Sequence, residues 1–328
     1  MADPCPLLPA EDPRALDRAA QALLDGRLIG VPTETVYGLA GDATNPDAVA
    51  AIFAAKGRPA VNPLIVHVAD RAAAQAIATF DAGSRRLADR FWPGPLTLVL
   101  PLRQGHGLAQ AVTAGLTSVA VRVPRGVLAH LSARTGRPIA APSANPSGRL
   151  TGTDARRVAN TLGDRLALVL DGGRSEGGVE STIVQVRDGV PHILREGCLP
   201  AEALEEAVGT VRRDTRPEGT ARPASPGQLL RHYAPSVPVR LDAREVRSGE
   251  ALLAFAGRPD AAHAVAVRDL SPGGDLVEAA HNLFAYLAEL EVSGAAAIAV
   301  APLPDHGLGR TINDRLARAA AATEGEDA

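Results

Sequence analysis

The stretch PDAVAAIFAAKGRPAVNPLIVHV, residues 46–68, decides the architecture of this 328-residue chain. A helix over about 46–56 ends at Lys56, a polar turn carries Arg58 and Asn62, and the apolar run Leu64 to Val68 reads as a strand. Working outward, the same alternation fills the first 200 residues. Strands are expected at Arg27 to Val31, Leu96 to Leu100, Val119 to Val123, Pro138 to Ala141 and Leu166 to Leu170. Helices are expected near 13–25, 70–78, 83–90, 126–135 and 154–162. Ser181 to Val186 and His192 to Arg195 read as a hairpin turning at Asp188-Gly189. A last helix, about 200–208, closes an α/β (α+β) layer domain over a mixed sheet.

Residues 209–236 are rich in Pro, Arg, Thr and Gly and read as a linker. Beyond it, 237–322 places strands at Ala251 to Ala256, Ala264 to Val267 and Ala297 to Ala301, with helices near 275–291 and 310–321. This predicts a small Rossmann-like domain, although no Gly-x-Gly-x-x-Gly follows its first strand. The expected boundaries are therefore 10–208, 209–236 and 237–322, with 323–328 as a frayed end. At ~150 residues per domain, the length agrees with two domains.

The composition, 46% hydrophobic and 22% charged, excludes disordered and collagen-like chains. With 3% aromatic residues, the core must be built from Ala, Val, Leu and Ile. No apolar run approaches the ~18 residues of a membrane span, the N-terminus lacks a secretion signal, and Cys5 and Cys198 make neither a disulfide framework nor a metal spacing. The expected location is cytoplasmic. A net charge of -3 argues against a nucleic-acid coat. Of 34 basic residues a single one is lysine, Lys56; drift under an arginine-favouring coding bias or the need for a compact ammonium accounts for it.

Four loops carry more polar and turn residues than a connection requires. Pro32 to Leu39 follows the first strand, where open α/β sheets hold ligands; Thr33 and Thr35 flank Glu34 and fit either a small polar substrate or a capped tight turn. Lys56-Gly57-Arg58, with Asn62 and His67, favours a polyanion such as triphosphate over simple complementation of a helix C-terminus. Pro142 to Gly148 fits close backbone approach to a phosphate or a base edge, or a plain polar loop. Asp171 to Thr182 supplies glycines for close approach, without the Gly-Lys-Ser/Thr of a Walker loop. Metalloprotease, zinc deaminase and serine hydrolase signatures are absent from the sequence. The residues alone give a two-domain protein whose larger domain binds an anionic nucleotide and a small polar molecule.

Together these loops resemble the YrdC/Sua5 family of L-threonylcarbamoyladenylate synthases. The family's Lys-x-Arg…Ser-x-Asn signature matches Lys56-Gly57-Arg58 and Ser143-Ala144-Asn145. Pro32 to Leu39, Asn62 to His67, Trp92 to Thr97, Val119 to Pro124 and Glu180-Ser181-Thr182 follow in order, over about residues 12–200. Ser225-Pro226-Gly227 and His232-Tyr233-Ala234-Pro235, with a smaller domain after them, resemble the long Sua5 form. The resemblance implies a YrdC-like twisted mixed sheet and a reaction of L-threonine, bicarbonate and ATP to threonylcarbamoyl-AMP and pyrophosphate. Other proteins of the tRNA t6A pathway would then transfer the threonylcarbamoyl group to tRNA.

It further implies a threonine site of Thr35, His67, Arg122, Ala141 and Ser181. The ATP site would comprise Arg58, Asn62, Ser118, Ser143, Asn145, Thr151, Arg195 and Tyr233. Lys56 and Arg58 would stabilise charge during adenylation. Mg²⁺ would ride on the ATP phosphates, because no carboxylate pair looks like a metal site. His232 and Tyr233 would serve as a lid, while Gln228-Leu229-Leu230 departs from a more basic stretch in many relatives. Two other classes compete: a carbamoyltransferase built on the same module, and a non-catalytic RNA-binding factor using the linker arginines Arg212, Arg213, Arg216, Arg222 and Arg231.

Overall fold

The computed structural model describes residues 5–214, 233–257 and 261–323. The helix Pro46–Lys56 shows how local signals set the elements. The Asn45 side chain accepts from the backbone N–H groups of Asp47 and Ala48, and Pro46 fills the first turn, where its missing donor is not needed. Gly57, at φ 59°, ends the helix in the left-handed region. Aspartate caps repeat this start at Pro13–Leu24, Arg71–Ile77, Ala82–Phe91 and Ala155–Leu162, through Asp12, Asp70, Asp81 and Asp154.

The described residues form two units, one of 5–146, 152–176 and 180–214, the other of 147–151, 177–179 and the residues from 233 onward. The first holds an eleven-stranded mixed sheet. Its spatial order is Leu7–Pro9, Leu168–Asp171, Ile29–Val31, Gly38–Asp42, Ile139–Ala140, Ile65–His67, Ser118–Arg122, Leu96–Pro101, Thr182–Arg187, Val190–Arg195 and Arg212–Arg213.

Strand parity then assigns every side chain to a face. Leu39, Val66, Leu98, Val121, Val184 and Ile193 point to one side and join Ile52, Leu64 and Leu87 in the main apolar core. On the other side, Ile29, Ala40, Ile139 and Leu168 pack with Ala19 and Leu23 of Pro13–Leu24 and with Leu128 and Leu131 of the helix Val127–Thr135. Further along that second face, Ile65, Val99, Ala120, Ile183 and Leu194 form only a small apolar floor. Polar side chains share this part of the face. His67 stands beside Arg122 in the parallel register of their strands.

The mixed layer architecture agrees with the sequence expectation, and most elements fall within a few residues of it. Several differ. Gly38–Asp42, which starts inside the expected loop Pro32 to Leu39, is a strand paired antiparallel with Ile29–Val31 and Ile139–Ala140. Two glycines in five residues give it little strand propensity, so ladder pairing on both edges makes it a strand. Leu7–Pro9 precedes the expected domain and Arg212–Arg213 falls in the expected linker, yet each is a short edge strand held by backbone pairing to one neighbour. In the second unit the strand expected at Ala264 to Val267 runs over Val267–Asp269, because Ala264 first closes a turn onto the Ala261 carbonyl.

The second unit carries a four-stranded, all-parallel sheet ordered Val239–Arg240, Ala297–Val300, Glu250–Ala254, Val267–Asp269, with the helices Leu276–Glu291 and Leu308–Thr323. Numbered along the unit this is 1-4-2-3, so the first strand lies at an edge; a Rossmann unit places its first strand inside the sheet. Tyr233, at φ 66°, stacks on Phe284 at 5.3 Å between ring centroids, and the Arg315 guanidinium lies 5.0 Å over its ring. His232 and the rest of 215–232 lie outside the described residues.

Candidate active site

The turn after Pro46–Lys56 aims two cations from one helix end. Gly57 N–H bonds the Ala54 carbonyl and Arg58 N–H the Phe53 carbonyl, the paired closure of a helix stopped by a left-handed residue. Lys56, 2% exposed, places its ammonium 2.6 Å from the Ser143 carbonyl, 2.5 Å from the Asn145 carbonyl and 3.5 Å from Asn145 Oδ1. All three are neutral oxygens. Ser143 Oγ donates to Asn145 Oδ1 at 2.6 Å, and Ala144 N–H to the Tyr37 carbonyl at 2.8 Å, so the loop that cages the lysine is itself pinned. Burial holds the Lys56 pKa well below its ordinary value; Arg58 lowers it further, and Glu180 opposes them.

Arg58 is fixed with its guanidinium on Asn62. Nε donates to the Asn62 carbonyl at 3.0 Å, and Nη2 donates at 2.7 Å to both Asn62 Oδ1 and the Pro63 carbonyl. The structure therefore brings Lys56, Arg58, Asn62, Ser143 and Asn145 into one linked cluster.

A second cluster grows from the sheet face. Arg122 Nε donates to the Gly94 carbonyl at 3.1 Å and Nη1 to Thr35 Oγ1 at 3.0 Å, while Nη2 lies 2.7 Å from Glu34 Oε2. Gly94 is required at its position: an added Cβ would stand 2.4 Å from the Phe91 carbonyl oxygen. Thr33 Oγ1 lies 2.8 Å from Thr35 Oγ1 and donates to the Val36 carbonyl at 2.6 Å, which orients the loop around Glu34. His67 is buried, and its Nδ1 has no hydrogen-bond partner. Burial and the neighbouring Arg122 keep its pKa well below 6.5, so the ring is neutral, against the pull of carbonyl contacts from Ile139 and Ile65.

Ser181 and Arg195 form a third group along the same sheet. Ser181 Oγ lies 2.7 Å from Thr97 Oγ1, and Arg195 Nη2 donates to the Ser181 carbonyl at 2.8 Å and to its Oγ at 3.1 Å. Ser118 begins the strand that carries Arg122, four residues before it and on the same face. Ala141 N–H bonds the Ile65 carbonyl at 3.2 Å. Thr151 and Tyr233 belong to the second unit, where Thr151 is fully buried and Tyr233 stacks as described. Among the described residues no group of three or more His, Cys, Asp or Glu is placed to hold a metal.

Two partners escaped the sequence reading. Glu34 was visible as a carboxylate between two hydroxyls, but nothing local joins it to Arg122, which lies far along the chain. Thr97 carried a signal that went unused, a hydroxyl inside the apolar run Leu96 to Leu100.

Known proteins resemble this chain along most of its length. The family profile Sua5_yciO_yrdC, described as "Telomere recombination", matches residues 21–197, and Sua5_C, described as "Threonylcarbamoyl-AMP synthase, C-terminal domain", matches residues 199–321. A threonylcarbamoyl-AMP synthase of Bacillus subtilis (strain 168) is 43% identical over 237 residues, covering 71% of this chain and 68% of the relative. One from Pyrococcus abyssi is 37% identical over 323 residues, covering 92% of each. The crystal structure of P. abyssi Sua5 complexed with L-threonine superposes with a TM-score of 0.88 at 34% identity, over 97% of this chain and 98% of that one. Escherichia coli YciO, at 21% identity and a TM-score of 0.53 over 58% of this chain and 94% of its own, shares the fold over that part.

Proposed function

Because the chain belongs to the Sua5/YciO/YrdC family, we propose that the clusters just described carry out threonylcarbamoyl-AMP synthesis, the activity named for its relatives across most of its length. The substrates are L-threonine, bicarbonate and ATP. The threonine amine adds to the carbon of bicarbonate with loss of water, a carbamate oxygen attacks the α-phosphorus of ATP, and pyrophosphate leaves. A positioned carbamate is already an adequate nucleophile, so orientation and charge neutralisation carry the catalysis.

The observation that carries this reading is the caging of the Lys56 ammonium by neutral oxygens alone, with Arg58 beside it. A buried cation without a counter-ion in contact is costly on its own and is offset when an anion arrives. Lys56 and Arg58 then stabilise the charge that builds on the α-phosphate and pyrophosphate. Asn62, Ser118, Ser143, Asn145 and Arg195 line the nucleotide side. For Thr151 and Tyr233 the assignment rests on the resemblance alone. Arg122 takes the threonine carboxylate as a fork held by Thr35 and Gly94, and His67, Ala141 and Ser181 complete the pocket. Mg²⁺ bound to the ATP phosphates would supply further charge neutralisation. The product is passed to other proteins of the t6A pathway.

The test incubates the full chain with ATP, Mg²⁺, bicarbonate and L-threonine, and follows pyrophosphate release and the mass of the nucleotide product. Threonine-dependent pyrophosphate with a threonylcarbamoyl-AMP peak is expected. Pyrophosphate that appears with carbamoyl phosphate but not with threonine would overturn the reading.

A further inference from the structure

Glu34 and Arg122 are a buried pair of opposite charges that do not complete each other. Their side chains are 9% and 4% exposed, and 2.7 Å separates Oε2 from Nη2, yet neither atom has an aligned hydrogen-bond partner. Each group is tethered elsewhere. Glu34 Oε1 accepts from Arg125 N–H at 3.0 Å, and Arg122 is held through Nε and Nη1 by Gly94 and Thr35. An ion pair that served only the fold would align its donors and acceptors, because unmet hydrogen-bonding capacity at a buried charge is costly. Here Nη2 and Oε2 meet as charges without an aligned hydrogen bond, and Nδ1 of a neutral His67 on the neighbouring strand has no partner.

The chemistry that satisfies this set is specific. The guanidinium calls for a carboxylate, whereas the glutamate oxygen and the imidazole lone pair call for N–H donors on a cation. A small molecule with a carboxylate and an ammonium one carbon apart offers both. We propose that Glu34 receives the α-ammonium of the amino acid whose carboxylate Arg122 takes, and so makes the pocket selective for the zwitterion. This deepens the reading of that pocket as a threonine site and rests on it. A lone arginine would accept any small carboxylic acid; the carboxylate beside it repels those that bring no cation. Glu34 thus supplies rejection as well as recognition.

The experiment is calorimetric titration of the full chain and of its Glu34→Gln variant. The probes are L-threonine and its desamino analogue, (R)-3-hydroxybutanoate. Glutamine keeps the shape and removes the charge. Wild type is expected to prefer L-threonine, and Glu34→Gln to weaken L-threonine by roughly 30-fold, about 2 kcal/mol. The same variant should bind the desamino acid at least as well as wild type does, because the repelling charge is gone. General damage to the pocket would weaken both ligands together. Equal weakening of both, or no change in either, overturns the inference while leaving the threonine site intact. A wild-type chain that takes up no L-threonine overturns the reading beneath it as well.

Discussion

In the second unit Arg240 grips Glu250 through two nitrogens, at 2.8 and 2.6 Å, and Arg315 and Arg318 share Asp314. In the first unit the Lys56 ammonium rests on the carbonyls of Ser143 and Asn145, with no carboxylate in contact. Both units bury cations, but Arg315 and Arg318 are neutralised on the spot and Lys56 is not. A buried ion with its own counter-ion is finished business for the fold, and apolar residues can often replace the whole pair without loss. A buried cation facing only dipoles keeps its net charge for a ligand. Arg122, paired with Glu34 at contact distance yet without aligned bonds, stands between these cases. The partner of a buried charge therefore tells structure from chemistry better than its depth does.

The largest expected effect breaks the comparison at its strongest point. Lys56→Met should lower threonine-dependent pyrophosphate release by roughly 10²–10³-fold, the usual loss when one transition-state charge stabiliser is removed. Its thermal midpoint should change little, because removing a desolvated ammonium held below its ordinary pKa offsets the loss of its bonds to the Ser143 and Asn145 carbonyls. A midpoint that fell together with the activity would make Lys56 a structural cation like those of the second unit.

A smaller effect separates the units by pH. The folded first unit resists protonating His67, whereas the unfolded chain takes that proton near 6.5. The unfolded state then binds more protons below that value, so first-unit stability falls as pH drops from 7 towards 5, by at most about 1.4 kcal/mol per pH unit. In the second unit the hydrogen bond from Arg240 holds the Glu250 pKa below its ordinary value. Burial pushes Asp314 up, but Arg315 and Arg318 outweigh it and keep it low as well. Their stabilisation is complete above the ordinary carboxylate range and is lost only as pH falls through and below about 4. Hydrogen exchange resolved by unit between pH 7 and 4 should show the first unit loosening earlier. Simultaneous loosening would contradict the contrast.

The smallest effect is a baseline. Arg134→Ala removes an exposed pair with Asp17 and should change the free energy of unfolding by less than about 0.5 kcal/mol in urea. Losing more would mean that surface pairs add more here than their exposure allows.

What the sequence made legible follows which interactions are local. Helix starts at Asp12, Asn45 and Asp154 are written within three residues, and the apolar run Leu64 to Val68 marks a strand. Gly38–Asp42 was hidden because its strand character comes from neighbours on both sides rather than from its own residues. Lys56, Arg58, Ser143 and Asn145 were named from their loops, but the direction of the lysine onto backbone carbonyls was not readable, since carbonyls leave no trace in residue identity. Glu34 was noticed as a residue and missed as a partner for the same reason of distance along the chain.

The cage around Lys56 has a use beyond catalysis. It shuts away the chain's single lysine, and so its only side-chain amine. An amine-selective acylating reagent thus finds one lysine target, and finds it closed. Each lysine adduct then dates an opening of the Ser143–Asn145 loop, and the rate of labelling becomes a clock for that one event, without any engineered tag.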